Sequence, residues 1–432
     1  MPPPNLRRAG RLVVLGSSGL LAGLVLTAAP AAAHGAGGGA VGAPSWLLAY
    51  GGVAVVLITA FVLRAWWPTP RLARFDPARA DPARPTPLAG GLAGIGLLAL
   101  VLVAAVAGPP AAAANVAPWA VAVVFWVGLP LAGVLLGDVF RWINPFVTLV
   151  RLVERHERSD DGTRAPSWIP AAFLFSFAWY LLAYYRPGSP RALATFLAVY
   201  VAAAIGLGLR WGHRWLAAGE GFGTLSTAVA RLSPRGGRGP LPRGVALLMV
   251  VWLGSTTFDL LTRSSFWIDV LGSSRGWGRT LLDTLGLVWM TAIVGGLYLA
   301  VVWVAERGQD QRVRAALGVA VVPLAAGWFL AHDLTLLLTE GQNAYILMSD
   351  PLGKGWDLFG TINHTIDYRL LEEAWVGWIQ LACLLAGHVA TLVVFHDTSL
   401  RVLRRRAAAR ATWATATVLS ASIALGTVLV VA

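Results

Sequence analysis

The chain has 432 residues, of which 57% are hydrophobic and 13% are charged, and its mean hydropathy is +0.66. Soluble domains are nearer half apolar and a quarter charged, so this composition argues against a water-soluble protein. The single cysteine excludes a disulfide scaffold, and the formal charge of +13 raises the question of whether the arginines serve nucleic acid or a membrane.

The first 33 residues have the order of a secretory signal peptide. Three arginines precede an apolar run over 12–28, and Ala31-Ala32-Ala33 has the small side chains of a cleavage site. We therefore predict a signal peptide over 1–33, whose removal makes His34 the N-terminus on the outer side of the membrane. An uncleaved first helix is the alternative.

Apolar runs of about 18–25 residues recur along the rest of the chain, and each is long enough to cross a hydrocarbon core of about 30 Å. Backbone groups in lipid must be satisfied within their own segment, so these runs predict helices. Ten spans are predicted: 46–63, 88–107, 119–136, 168–185, 192–209, 245–261, 282–305, 316–338, 374–394 and 413–431. The fold class is thus an all-α polytopic bundle, with 34–432 as one membrane domain.

The basic residues support this topology. With the N-terminus outside, 24 of the 34 Lys and Arg residues fall in inner loops, 7 in outer loops and 3 in the signal region. Such an excess is the positive-inside pattern of membrane proteins. The charge of +13 therefore indicates a lipid bilayer as partner and no nucleic acid.

Two loops stand out from the short connections. The inner loop 137–167 mixes aromatic and aliphatic residues with arginines, a pattern typical of an amphipathic helix at the membrane interface. The outer loop 340–373 is long, polar and aromatic, and loops of that length are usually functional.

Ionisable side chains at membrane depth cost about 2.5–3.5 kcal/mol each on insertion scales, so each one needs a reason. Asp259, Asp283, His332 and Asp333 all fall near the outer ends of their spans, and His364 lies in the outer loop. Asp259 and Asp283 are equally well explained as ion pairs with nearby arginines. Adjacent residues on a helix point about 100° apart, so we do not expect His332 and Asp333 to line one small pocket unless the helix is distorted.

The ninth span carries polar residues at intervals of eight: Gln380, His388 and His396, the last followed by Asp397. Such a track could conduct protons or hold a metal or haem, and it could equally be interhelical hydrogen bonding. We favour function for His388, near the middle of the span. For His396 and Asp397 we favour a structural role, with both groups solvated at the helix end.

These residues define the candidate sites. Asp259, His332, Asp333 and His388 are the catalytic candidates, since a hydrolytic metal site needs about three His or carboxylate ligands and an open position for water. His34, His332, Asp333 and His364 are the candidate metal ligands. A divalent metal suits such a set, and copper suits the amine and imidazole of an N-terminal His34.

Four phrases of the sequence resemble a known group. They are Gly137-Asp138-Val139-Phe140-Arg141-Trp142-Ile143-Asn144-Pro145, Thr257-Phe258-Asp259, Ser349-Asp350-Pro351-Leu352-Gly353 continuing to Trp356-Asp357-Leu358-Phe359-Gly360, and Gln380 with Gly387-His388-Val389 and His396-Asp397. Together, from about Trp119 to Arg401, they resemble bacterial, often actinobacterial, multi-pass membrane proteins labelled fenitrothion hydrolase. The resemblance implies a protein of the bacterial cell membrane that hydrolyses an organophosphate ester, and it makes Asp350 and Asp357 candidates as well.

Three functions remain open at this point. An enzyme would use the outer His/Asp residues, with a bound metal, against a small phosphotriester-like substrate. A transporter or a copper- or haem-handling protein would use His388 and Gln380 as its central site. A non-catalytic accessory subunit would use its polar residues only to join helices, and its inner loop to dock a partner.

Overall fold

The structure is a computed structural model that describes residues 41, 43–72, 75, 86–154, 165–237, 241–309 and 313–431. These residues form helices and no strand, so the predicted all-α class is confirmed. The predicted signal peptide, its cleavage site and His34 lie outside the described residues. In chain order the helices are α1 (Ser45–Trp66), α2 (Leu88–Ala107), α3 (Val116–Leu136), α4 (Val139–Ile143), α5 (Pro145–Val153), α6 (Ile169–Leu182), α7 (Pro190–Trp211), α8 (His213–Gly219), α9 (Gly221–Val229), α10 (Val245–Thr262), α11 (Ser265–Leu271), α12 (Gly276–Glu306), α13 (Val321–Thr339), α14 (Gly341–Leu347), α15 (Glu373–Val402) and α16 (Arg405–Gly426).

Nine of the described helical stretches are long and apolar enough to cross a membrane. They are α1, α2, α3, α7, α10, α12, the stretch Arg314–Leu347 that contains α13, α15 and α16. Each coincides with a predicted span, so the protein is a multi-pass membrane protein.

The remaining predicted span, 168–185, forms the shorter helix α6 of 14 residues. At 1.5 Å per residue it is about 21 Å long, less than the hydrocarbon core it was predicted to cross. Pro170 begins the helix, and Tyr185 ends the segment by donating its backbone N–H to the Thr280 hydroxyl (3.0 Å) at the start of α12. At the other end of α6, Ser167 lies against Gly244 at the start of α10. The segment therefore still connects the two ends of the bundle.

The connections divide between two ends of the bundle, and we name each by its residues. The basic end comprises the described residues 67–72, 75, 86–87, 137–154, 165–168, 212–237, 241–244, 307–309, 313–320 and 403–404. The loop end comprises 108–115, 183–189, 263–275 and 340–372. The prediction places the basic end inside the cell.

Burial separates the helices into an inner and an outer set. In the most apolar 18 residues of each span, 78% of residues are buried in the stretch that contains α13 and 72% in α10, against 22% in both α1 and α2. Mean hydropathy runs the other way, at 1.7 for the two inner spans and at 2.3 and 2.4 for α1 and α2. The inner helices bury their polar residues in protein, whereas the outer helices present apolar side chains to lipid.

Glycines bring the inner helices into backbone contact. A Cβ built on Gly327 of α13 would lie 2.8 Å from the Cα of Gly387 on α15, closer than two such carbons approach. Similarly, a Cβ on Gly254 of α10 would lie 2.7 Å from the Cα of Thr291 on α12. Small residues at such crossings are how membrane helices pack without a hydrophobic driving force.

The short helix α9 enters the bundle from the basic end and is buried over almost its whole length. Its Phe222 ring lies 4.6 Å from that of Phe125 on α3 and 4.8 Å from that of Phe177 on α6, measured between centroids. Edge-to-face contacts between aromatic rings stabilise such a cluster by more than the burial of their apolar surface alone. The chain between α7 and α10, which the sequence suggests is a basic surface loop, therefore supplies part of the core.

Two helices, α4 and α5, form within the predicted amphipathic loop 137–167. The Asp138 and Asn144 side chains cap them by accepting hydrogen bonds from the backbone N–H of Arg141 (3.3 Å) and Val147 (3.0 Å). One face of α5 is buried against α2 and α7, whereas Leu152 and Val153 are exposed. The loop thus has an amphipathic helix whose buried face contacts protein.

Candidate metal site

Three ionisable side chains from two inner helices meet near the loop end. Asp259 lies in the last turn of α10, and His332 and Asp333 lie two turns before the end of α13. One ligand atom from each of the three residues can be chosen so that all lie within 4.8 Å of one another. We call this group the Asp259 cluster.

Within the Asp259 cluster, His332 Nε2 lies 2.6 Å from Asp259 Oδ2. The guanidinium of Arg263, one turn along α10, lies 3.7 Å from the same oxygen. Asp333 differs from both, because its carboxylate accepts no hydrogen bond from the part of the chain that the structure describes. Carboxylates this little exposed usually accept hydrogen bonds or lie beside a cation, so the Asp333 carboxylate has room for a further partner.

The expectation that His332 and Asp333 would not share a small pocket is wrong. Their helix is regular over Val321–Thr339, yet both side chains come within reach of Asp259. The Cβ atoms of neighbouring residues point about 100° apart, but the two side chains are long enough for the imidazole and the carboxylate both to reach Asp259.

Exposure differs between the residues of the cluster and its neighbour Arg263. The His332 side chain is 5% exposed and the whole Asp333 residue also 5%, whereas the side chains of Asp259 and Arg263 are 23% and 50% exposed. Access from the loop end therefore passes beside Asp259 and Arg263. The C-terminal ends of α10 and α13 also point in this direction, and helix C-termini favour cations.

The donor set fits a divalent cation of the zinc type. An imidazole and two carboxylates are usual ligands at bond lengths of about 2.0–2.2 Å, which place ligand atoms about 3.4 Å apart in a tetrahedron. The observed spread of up to 4.8 Å requires small side-chain movements, and the 2.6 Å His332–Asp259 hydrogen bond would open to make room. The metal-ligand chemistry therefore agrees with the residues present.

The carboxylate of Asp283, the other acidic candidate at this end, has a structural explanation. It is 3% exposed, accepts a hydrogen bond from Trp267 Nε1 (2.9 Å), and pairs with Arg279 (3.3 Å) one turn before it. This is the ion-pair alternative that the sequence leaves open.

His388 does not join the Asp259 cluster. Its Nδ1 lies 2.7 Å from the Leu384 carbonyl oxygen and its Nε2 lies 3.0 Å from the Ser422 hydroxyl of α16. Both ring nitrogens are thus hydrogen-bonded between α15 and α16. Residues eight apart on a helix are also about 12 Å apart along its axis, so Gln380, His388 and His396 do not form a continuous chain of contacts.

The pair His396 and Asp397 is structural, as expected, but it is buried rather than solvated, at 1% and 0% exposure. Asp397 Oδ1 accepts hydrogen bonds from Trp67 Nε1 (3.0 Å), Arg71 N (2.5 Å) and Leu72 N (3.2 Å), and its Oδ2 pairs with Arg401 (3.0 Å). His396 Nδ1 lies 2.9 Å from the Thr412 hydroxyl, and its Nε2 lies 3.1 Å from the Trp67 carbonyl oxygen. The pair ties the chain that follows α1 to α15 and α16.

Residues of the long loop are engaged in turns. Asp350 accepts hydrogen bonds from the backbone N–H of Lys354 (2.8 Å) and Gly355 (2.7 Å). Desolvation raises the pKa of Asp350, but these hydrogen bonds outweigh it and leave the pKa below its usual value. Asp357 accepts a hydrogen bond from Ile362 N (3.2 Å), and the exposed His364 ring lies 6.4 Å from that of Tyr345. None of these residues belongs to the Asp259 cluster.

One buried carboxylate, that of Glu220, is not among the residues predicted from the sequence. Glu220 is fully buried, caps α9 through the backbone N–H of Phe222 and Gly223, and accepts a hydrogen bond from the Tyr200 hydroxyl. Burial raises the pKa of Glu220, and these hydrogen bonds oppose the rise. Its place in a loop rich in arginine suggests solvation, and only the run Gly-Glu-Gly-Phe-Gly signals a helix cap.

An apolar cavity of about 390 Å³ lies apart from these polar groups, beside the aromatic cluster of α3, α6 and α9. Phe125, Phe177, Tyr200 and Phe222 line one part of it. The Tyr200 hydroxyl is committed to Glu220, so the cavity offers no convergent polar groups for chemistry.

No family model matches the chain, and neither a curated protein nor a solved structure matches it significantly.

Proposed function

We propose that the protein is a membrane-embedded, metal-dependent hydrolase whose centre is the Asp259 cluster. The observation that carries the proposal is the donor-free carboxylate of Asp333, buried within 4.8 Å of a His and a second carboxylate. A bound divalent cation would supply the missing partner. It would also lower the pKa of a bound water and polarise a phosphoryl oxygen, which is the chemistry of metal-assisted ester hydrolysis.

The proposed roles follow from exposure. Asp333 and His332, which are buried, hold the cation, and Asp259 completes the ligand set at the open side. Arg263 lies beside Asp259 with half of its side chain exposed, so its guanidinium is placed to hydrogen-bond a phosphoryl oxygen of an entering substrate. The resemblance to the fenitrothion hydrolase group supports an organophosphate ester as the substrate class, and the positive-inside pattern supports an outer-facing site in the cell membrane.

Metal binding tests the first part of the proposal. We expect the detergent-purified full chain, stripped with a chelator, to bind one Zn²⁺ per chain. Asp333→Asn should weaken binding by more than about 100-fold, because removing a direct ligand costs more than removing an outer partner. Asp283→Asn is the matched control, since that carboxylate is buried at the same end in an ion pair, and it should bind zinc like the wild type. Equal zinc binding by the wild type and Asp333→Asn contradicts the proposed site.

The second part is tested with a p-nitrophenyl phosphotriester on the same preparations. Release of nitrophenolate should cease in the chelated protein and return with Zn²⁺, and Asp333→Asn should remain inactive. Activity that survives chelation would show that hydrolysis does not need the metal. Zinc binding without hydrolysis would contradict the proposed enzymatic activity but not the proposed metal site.

Transport of protons or metal through His388 is the alternative that the sequence allows. Both nitrogens of His388 are hydrogen-bonded within the bundle, and neither of these partners is a carboxylate, so the described residues offer no observation that favours that alternative. A role as an accessory subunit would leave the donor-free Asp333 without explanation.

A further inference from the structure

A second pocket, of about 310 Å³, opens at the basic end between α1, α15 and α16. It is lined by Arg64, Trp67, Pro68, His396, Leu400, Arg405, Arg406 and Ala409. We call it the arginine pocket. It is on the opposite end of the bundle from the Asp259 cluster and shares no residue with it.

The charge of the arginine pocket is strongly positive. Arg64, Arg405 and Arg406 are exposed, and none of the three guanidinium groups pairs with a carboxylate in the described part of the chain. No described acidic residue lines the pocket. The nearby carboxylate of Asp397 is already committed to Arg401 and to the chain after α1, so it does not compensate this charge.

The start of α16 adds further positive charge to the arginine pocket. This helix of 22 residues begins at Arg405, has no acidic residue in its first turn, and donates none of its first backbone N–H groups to an N-cap side chain. The N-terminus of a helix carries partial positive charge and prefers anions, yet two arginines occupy it. The helix N-terminus and the three arginines thus place positive charge around the pocket, and a bound anion would compensate it.

The apolar surface beside the pocket indicates what kind of molecule brings that anion. One turn from Arg64, Phe61 of α1 is 63% exposed, and one turn beyond Ala409, Trp413 of α16 is 43% exposed. A strip of apolar side chains therefore leads from the pocket along α1 and α16 into the membrane. A molecule with a phosphate group and acyl chains matches both features, because its phosphate would pair with the arginines and its chains would contact the apolar side chains.

We propose that the arginine pocket binds the phosphate group of an anionic phospholipid. Arg64, Arg405 and Arg406 hold the phosphate oxygens, which arginine recognises through paired N–H groups. Trp67 forms the side of the pocket and is fixed there by its hydrogen bond to Asp397. The buried pair His396 and Asp397 thereby acts as the support of a lipid site.

Lipid binding by variants gives the main test. The full chain in detergent is titrated with phosphatidylglycerol, and bound lipid is counted by native mass spectrometry. We expect the variant Arg64→Gln/Arg405→Gln/Arg406→Gln to bind at least about tenfold more weakly, since each basic residue contributes about 1 kcal/mol near an anionic lipid. The control Arg235→Gln/Arg307→Gln/Arg314→Gln removes the same charge from exposed positions of the basic end and should bind like the wild type. Equal weakening of phosphatidylglycerol binding in both triple variants would contradict binding at the arginine pocket.

A measurement on the wild type protects the test against a variant that fails to fold. Phenylglyoxal modifies free guanidinium groups, and phosphatidylglycerol should slow the modification of Arg64, Arg405 and Arg406 several-fold while Arg235 reacts unchanged. Inorganic phosphate is the second arm. Equal protection at equal concentration supports the phosphate chemistry but assigns the site to a soluble phosphate. Absence of protection by both, or equal protection by phosphatidylcholine, overturns the proposal.

Discussion

The chain contains the dipeptide His-Asp twice on its inner helices, and the two copies have opposite surroundings. Asp397 of α15 is saturated by Trp67, by two backbone N–H groups and by Arg401, whereas Asp333 of α13 receives no hydrogen bond within the described residues. Both carboxylates are buried. The difference teaches that burial alone does not distinguish the two carboxylates, and that the number of hydrogen-bond donors around each one does.

The largest effect on stability should come from the saturated carboxylate. In Asp397→Asn an amide N–H₂ replaces the oxygen that faces Arg401, so at this buried contact the guanidinium meets a donor in place of a carboxylate oxygen. We expect a loss of about 3 kcal/mol in the free energy of unfolding. Asp333→Asn, which removes no hydrogen bond, should change stability by less than about 1 kcal/mol. Chemical unfolding of both variants in detergent measures the two losses in free energy of unfolding. Equal losses would contradict the proposed difference between Asp397 and Asp333.

A smaller effect should follow from separating the helices that carry the two pairs. In Gly387→Ala the added Cβ would lie 2.9 Å from Gly327 Cα and from Pro323 O, so α13 and α15 must move apart. We expect a loss of about 2 kcal/mol, within the range for overpacking, together with weaker zinc binding. Gly296→Ala is the control, because no atom outside its own helix lies within 4 Å of the new Cβ. If Gly387→Ala behaves like Gly296→Ala, the close crossing does not position His332.

The smallest effect concerns a third carboxylate, Asp350, which is saturated by backbone N–H groups rather than by arginine. Because its pKa in the folded protein is lowered, its contribution to stability is present above the unfolded pKa of about 3.9 and is lost as the pH falls through the folded value. Asp350→Asn should therefore lower the melting temperature at pH 7, and this difference from the wild type should shrink only as the pH falls below about 3.9 toward the lower folded pKa. Asp269→Asn, an exposed carboxylate at the same end, should show neither effect.

Apolar run length predicted most of the fold, because a span in lipid must be helical and of a minimum length. The prediction was less accurate where polar contacts between helices define the structure. The segment 213–230 is charged at its start and contains Glu220, so it suggests a surface loop; only the packing of Phe222 against Phe125 and Phe177 places α9 in the core. The short helix α6 likewise depends on contacts at both of its ends.

For the candidate site, the sequence supplied the residues but not their grouping. Asp259 and His332 are 73 positions apart, and nothing in either span specifies that α10 and α13 bring them to 2.6 Å. The same limitation applies to His388, whose position in the middle of a span suggests function but does not reveal that Ser422 of α16 lies 3.0 Å from its Nε2. Hydrogen-bond partners on other helices decide these assignments, and one sequence does not reveal them.

The contrast in burial and hydropathy between the two inner spans and the outer helices α1 and α2 has a consequence for how the protein is made. The outer helices α1 and α2, with mean hydropathies of 2.3 and 2.4, carry enough apolar surface to leave the translocation machinery for lipid unaided. The inner spans at 1.7 contain the ionisable residues, so their transfer into lipid costs more. Asp259, His332 and Asp333 should therefore settle at their final depth only when later helices arrive to enclose them. The site would be completed late in biogenesis, once α13 has been synthesised.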